Sequence, residues 1–208
     1  MTHHITHQVS ILVFDDVEAL DFAGPYEVFT TASRVHGRSH PHDPPLFATQ
    51  CVARSSDPVR ARAGLRIIPD STFALCTATD VLIVPGGVVD AAMACQATTT
   101  WIAATAASAT TIASVCTGAF LLANSGVVQS GPVTTHWEDV DDLQRMFPAL
   151  QVQTGVRWVH NDEQDNTTTS AGISAGIDMC LHLVGKLAGH ELAARTARQM
   201  DYAWQSQP

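Results

Sequence analysis

A chain of 208 residues, 46% of them hydrophobic and 15% charged, is long and apolar enough to bury one sizeable core. Its formal net charge of -9, with Lys186 the one lysine, excludes the basic face that nucleic-acid phosphates require and is read as solubility. No apolar run reaches the ~18 residues of a transmembrane helix, and five cysteines with no Cys-x-x-Cys pair argue against a disulfide framework or a zinc cluster.

The opening Met-Thr-His-His-Ile-Thr-His lacks the basic and apolar regions of a signal peptide, so residues 1–7 read as a disordered tail and the expected location is cytoplasmic. Gln8–Phe14 is an apolar strand suited to burial on both faces of a parallel sheet. Asp15–Glu18 is a turn, and Ala19–Pro25 leads into a helix with Pro25 in its first turn. His36–Pro45 reads as a Pro-rich loop, a poor scaffold for a metal despite its three histidines, and no metal is expected. Leu46–Ala53 is a second strand, followed by a hairpin through Val59 and Leu65–Ile68.

Asp80–Val84 is another buried strand, ending in Pro85-Gly86-Gly87. Helical stretches are expected at Asp90–Cys95 and Thr99–Ala107. A β-branched strand, Thr110–Val115, then runs into Cys116, and a helix follows from Thr117 to about Ser125-Gly126. Thr135 and Glu138 form a capping-box pattern for a helix whose buried face is Trp137, Val140, Leu143 and Phe147. Short strands follow at Gln151–Thr154, Trp158–His160 and Thr167–Ser170, with a turn at Asn161-Asp162-Glu163. Gly172–Leu187 is a long helix whose polar stripe, Asp178, His182 and Lys186, reads as structural, and His190–Tyr202 is the last helix. The alternation of strands and helices gives an α/β sandwich with a mostly parallel sheet.

In such sheets ligands bind beyond the carboxyl ends of the strands. Asp21, Pro85-Gly86-Gly87 and Cys116 all fall at such ends. Ser114-x-Cys116-x-Gly118 has the spacing of a nucleophile elbow, the sharp strand-to-helix turn that projects a reactive side chain. A thiol there is expected to have a lowered pKa, since the following helix N-terminus favours the thiolate; a buried, inert cysteine is the alternative. Gly86 and Gly87, with the N–H of Thr117, offer a backbone nest for an anion or form an ordinary tight turn. Asp21 is either an N-cap for the helix at Pro25 or a buried acid/base facing Cys116. Thr117 is a first-turn residue or a ligand contact, and His136 packs beside Trp137 or lines the pocket, where it would serve Cys116 as a base.

Leu20-Asp21-Phe22-Ala23-Gly24-Pro25, Val84-Pro85-Gly86-Gly87, Ser114-Val115-Cys116-Thr117-Gly118, Thr134-Thr135-His136-Trp137 and Thr169-Ser170-Ala171-Gly172 resemble, in order, the ThiJ/PfpI superfamily. The match covers nearly the whole chain. The resemblance implies one flavodoxin-like three-layer sandwich over residues 1–208, a homodimer, a small-molecule substrate and Cys116 as nucleophile. Leu-Asp-x-x-Gly-Pro with Val-Cys-Thr-Gly resembles the isonitrile hydratase branch, which implies Asp21 as acid/base, Thr117 beside the nucleophile and no cofactor. The same blocks occur in ligand-sensing halves of AraC-type regulators, so a sensor domain without a DNA-binding module is the alternative, and glyoxalase-like activity a further one. Thr117 stands where proteases and many glyoxalases of the superfamily place a histidine, and Asp21 where other branches often place a glutamate; both departures disfavour those branches.

Overall fold

The computed structural model describes residues 5–161 and 166–207. Its elements, in chain order, are β1 (His7–Leu12), α1 (Ala19–Ser39), β2 (Phe47–Ala53), β3 (Val59–Arg60), β4 (Arg66–Ile67), β5 (Ser71–Thr72), β6 (Val81–Val84), α2 (Asp90–Ala94) and α3 (Gln96–Ala106). β7 (Thr111–Val115), α4 (Gly118–Asn124), β8 (Gly131–Val133), α5 (Val140–Met146), β9 (Leu150–Val152), β10 (Trp158–His160), β11 (Thr167–Ser170), α6 (Ala175–Ala188) and α7 (His190–Gln199) follow.

Seven strands form one sheet in the order β10-β11-β7-β6-β1-β2-β5. All pairs are parallel except β10–β11, which is antiparallel at the edge. The central run β2-β1-β6-β7-β11 has the flavodoxin-like order, in which the chain reverses direction between β1 and its neighbour β6. The strands are apolar on both faces because both are covered. Val9, Ile11, Val81, Ile83, Ala113 and Val115 point to the face packed by α1, α6 and α7. Leu12, Leu82, Val84 and Ile112 point to the other, against Trp101 and Ile102 of α3, Leu121 of α4 and Leu143 of α5. Successive residues alternate between these two cores, as the pleat of a strand requires.

Several elements depart from the sequence pattern. His7 already pairs with Phe47, so the tail does not extend through residue 7. α1 begins at Ala19 rather than Pro25, capped by the Glu18 side chain, which accepts from the Ala19 N–H at 3.2 Å. Pro25 therefore sits inside the helix, where it has no N–H for the carbonyl of Asp21. α1 also runs on to Ser39, placing His36 on helix rather than in the loop. Trp137 is 75% exposed instead of core, because the chain makes a short 3-10 turn at Trp137–Asp139 before α5 begins. Thr135 does not complete a capping box: His136 Nδ1 accepts from the Glu138 N–H there. α6 starts at Ala175, three residues later than expected. Of the turn expected at residues 161–163, Asp162 and Glu163 lie outside the described residues. No described helix is long and apolar enough to cross a membrane.

The acid of the α6 stripe anchors the C-terminal segment. Asp178 is 0% exposed and pairs with Arg157, whose Nε donates to Oδ2 at 2.6 Å. Tyr202 Oη donates to the same oxygen at 3.1 Å, and the Gln205 N–H donates to Oδ1 at 2.9 Å. One carboxylate thus joins the start of β10, α6 and the segment after α7. Arg157→Ala leaves that charge buried with fewer donors and is expected to cost on the order of 3 kcal/mol, read as a lower urea midpoint with little change in slope.

Candidate active site

β1, β6 and β7 lie side by side, so whatever follows their carboxyl ends meets on one rim. The turn after β1 delivers Asp21 on the first turn of α1, the end of β6 delivers Gly86 and Gly87, and the end of β7 delivers Cys116. Cys116 has φ 57°, in the left-handed region that a side-chain-bearing residue rarely occupies. Hydrogen bonds hold it there from both sides. Its N–H donates to the Ser170 carbonyl at 3.1 Å, and its own carbonyl accepts from Thr135 Oγ1 at 3.0 Å. The helix that follows starts hard against β6: a Cβ at Gly118 would lie 2.1 Å from the Val84 carbonyl oxygen. Only glycine lets the chain turn so sharply at that point.

Asp21 is fully buried. The Gly86 N–H donates to its Oδ2 at 3.1 Å, while Oδ1 has no hydrogen-bond partner among the described residues. Burial raises its pKa from 3.8 to about 7; the Gly86 N–H opposes the shift, nearby Glu18 adds to it, and the neighbouring Cys116 side chain opposes it. This location removes the N-cap alternative, since Glu18 caps α1.

The elbow pattern led us to expect a lowered pKa for the Cys116 thiol, and the structure shows the opposite direction. Burial pushes it up to about 12, the charge of Asp21 adds to the rise, the N–H groups of Thr117 and Ile173 pull it down, and Asp139 pushes it up again. α4 has only seven residues, and its first N–H groups are outweighed by desolvation beside an acid.

The expected glycine nest is also occupied from within. The Gly86 N–H is taken by Asp21, and the Gly87 N–H donates to Thr117 Oγ1 at 2.9 Å. The Thr117 hydroxyl in turn donates to the Gly87 carbonyl at 2.9 Å. Thr117 is thus a clamp between the end of β6 and the start of α4. Gly86 is glycine for want of space: a Cβ would sit 2.5 Å from Thr117 Oγ1 and 3.0 Å from Asp21 Oδ2.

Cys116, Thr117, Gly87 and His136 open into a cavity of about 380 Å³, a size suited to a small molecule. His136 stands on its wall, with Nδ1 3.3 Å from Asp139 and its Cδ2 packed on Gly172, where a Cβ would lie only 2.0 Å away. Sequence reasoning missed the remaining lining. Val88, Met93, Phe120, Met146 and Ile173 supply apolar surface, and Glu18, Asp90, Glu138, Asp139 and Asp142 supply carboxylates. Ile173 carried no signal, for a β-branched residue is an improbable occupant of its φ of 49°, yet that conformation turns its N–H toward the thiol. The acidic residues from Glu138 to Asp142 were visible in the sequence, but only Glu138 was given a role there, in a capping box. Away from the cavity, His36, His40 and Asp43 bring their donor atoms within 4.8 Å of one another, the one such group spaced for a metal among the described residues.

Two substitutions test this geometry. Folded Asp21 keeps its proton up to about pH 7, whereas an unfolded aspartate loses it near 3.8. The folded chain therefore binds more protons in that window, and stability falls as pH rises through it. Asp21→Asn removes the penalty and is expected to stabilise the protein at pH 8 by on the order of 3 kcal/mol, with little gain at pH 4, in paired denaturation curves. Thr117→Val strands the N–H and carbonyl of Gly87 and is expected to lower stability by ~1–3 kcal/mol in the same assay.

Known proteins share this arrangement of elements. An isonitrile hydratase from Pseudomonas putida is 34% identical over 197 residues, covering 94% of this chain and 78% of that protein. The HTH-type transcriptional regulator GbdR of Pseudomonas aeruginosa is 28% identical over 93% of this chain, which spans 50% of the regulator's length. A crystal structure of a THiJ/PfpI family protein from Pseudomonas syringae superposes with a TM-score of 0.82 at 30% identity, covering 97% of this chain and 77% of that one. The sequence pattern of the DJ-1/PfpI family matches residues 7–186, and the chain belongs to the DJ-1/PfpI family.

Proposed function

We propose that the chain is an enzyme that hydrates an isonitrile to an N-substituted formamide through a covalent intermediate on Cys116. The observation that carries this reading is the pairing of the two buried groups: a carboxyl with an unpartnered oxygen next to a thiol that opens into a small cavity. The 34% identity to an isonitrile hydratase supports it.

With the thiol raised to about 12 and the carboxyl to about 7, the resting pair at neutral pH is a thiol beside a group near its midpoint. The reaction therefore begins with proton transfer. Asp21, as carboxylate, takes the S–H proton while sulfur bonds to the terminal carbon of R–N≡C. The proton then passes from Asp21 to that carbon, giving the thioimidate S–CH=N–R. Asp21, again a carboxylate, takes a proton from water as the water oxygen adds to the same carbon, and the proton moves to nitrogen. The C–S bond breaks, the hydroxyl proton returns to sulfur, and R–NH–CHO leaves. The sum is isonitrile plus water to formamide, with thiol and carboxylate restored. General acid–base work of this kind contributes roughly 10²–10⁴-fold, and the positive-φ turn holds the sulfur in place for it.

The second reading is a ligand-sensing domain without turnover. It is favoured by the alignment of 93% of this chain with half of the GbdR regulator. Turnover separates the two. Wild-type protein is expected to convert a simple alkyl isonitrile to its formamide, with kcat/KM rising about tenfold per pH unit below pH ~7 and level above it. Asp21→Asn is expected to lose roughly 10²–10⁴-fold. An acid quench should trap a mass gain of one isonitrile on the wild type and none on Cys116→Ala. Full turnover by Cys116→Ala would end the hydratase reading.

A further inference from the structure

The cavity over Cys116 has an uneven distribution of charge. Five carboxylates line it, from Glu18, Asp90, Glu138, Asp139 and Asp142, against a single guanidinium, Arg62. That guanidinium is already engaged, with Nη1 3.7 Å from Glu18 Oε2. Asp142 is paired outside the cavity with Arg145 at 2.6 Å, and Asp139 lies 3.3 Å from His136 Nδ1. Glu138 is mostly exposed and its carboxylate reaches His136 only at 3.8 Å, while Asp90 is exposed at the first turn of α2. Val88, Met93 and Phe120 add apolar surface to the same lining. The whole chain adds the same sign, with 20 acidic against 11 basic residues.

A cluster of acids on a surface is commonly only a solvated face. Here it surrounds an opening that already holds chemistry, the thiol of Cys116 beside a fully buried carboxyl whose Oδ1 has no partner among the described residues. We propose that the site selects substrates whose remote end is cationic, an ammonium or amidinium group carried on a short apolar chain, and rejects those ending in a carboxylate. The reacting carbon sits at Cys116, the chain lies along Val88, Met93 and Phe120, and the charged end meets Asp90 and Glu138 at the mouth. An anionic end meets only like charge there and finds no unpaired cation. This inference rests on the hydratase reading for its catalytic arm and is independent of it for binding.

Three isonitriles of equal chain length test it, ending in ammonium, methyl or carboxylate. The expected order of kcat/KM is ammonium first and carboxylate last, with at least a tenfold gap between those two in low-salt buffer. The gap should narrow in 0.5 M salt, since exposed charges are screened within a few ångströms there. It should also narrow in the Asp90→Asn, Glu138→Gln double variant, while the Asp57→Asn variant, outside this cavity, keeps it. Equal turnover of ammonium and carboxylate substrates, or a gap unchanged in the double variant, overturns the proposal. Turnover of none of the three, the methyl compound included, ends the hydratase reading instead. The charge preference is then decided by binding to the wild type: butylammonium must raise the melting temperature more than butyrate at equal concentration, and an equal or reversed effect overturns it.

Discussion

A carboxyl group held out of water against a thiol is the constraint on which this site depends. Burying an acid is unfavourable, and the fold accepts it because three separate segments converge to make the space. Glu18 starts α1 early enough to turn Asp21 inward, Gly86 brings the end of β6 within reach of its Oδ2, and β7 delivers Cys116 on the adjacent strand. The burial that raises the acid also raises the thiol, so both neutral forms are favoured where the two groups meet.

The turn at Cys116 is strained, and the strain is balanced by contacts that have no direct part in chemistry. Ser170 takes its N–H, Thr135 holds its carbonyl, and Gly118 lets α4 begin against the backbone of β6. Thr117 ties the same helix start to Gly87 with both halves of its hydroxyl. The threonine beside Cys116 thus ties the end of β6 to the start of α4 while also lining the cavity. The two glycines that resemble an anion nest serve instead as close-approach points for Asp21 and Thr117.

The fold itself does not choose between catalysis and sensing. Similar chains occur as a hydratase and as part of a transcriptional regulator. In sheets of this kind a ligand meets the side chains supplied beyond the carboxyl ends of the strands. In this chain the lining combines carboxylates with Val88, Met93 and Phe120, supplied by helix starts as well as by loops.

From the sequence alone, the layered α/β sandwich was determined, because apolar runs such as Val81–Val84 and Thr111–Val115 are local signals of strands buried on both faces. So were the candidates Asp21, Gly86, Thr117, Cys116 and His136, since each falls at the end of a strand or in a recognisable block. Only the tertiary structure decided where those residues sit and what they touch. Asp21 lies on α1 rather than before it because Glu18, not Asp21, reaches the first free N–H. Trp137 faces solvent because a 3-10 turn rotates it away from the face that Leu143 buries. The direction of the thiol's pKa, the use of the glycine N–H groups and the conformation of Ile173 all depend on groups dozens of residues apart. Local pattern carries the period of a strand or helix, but desolvation and hydrogen bonding are set by whichever distant atoms the fold brings within a few ångströms.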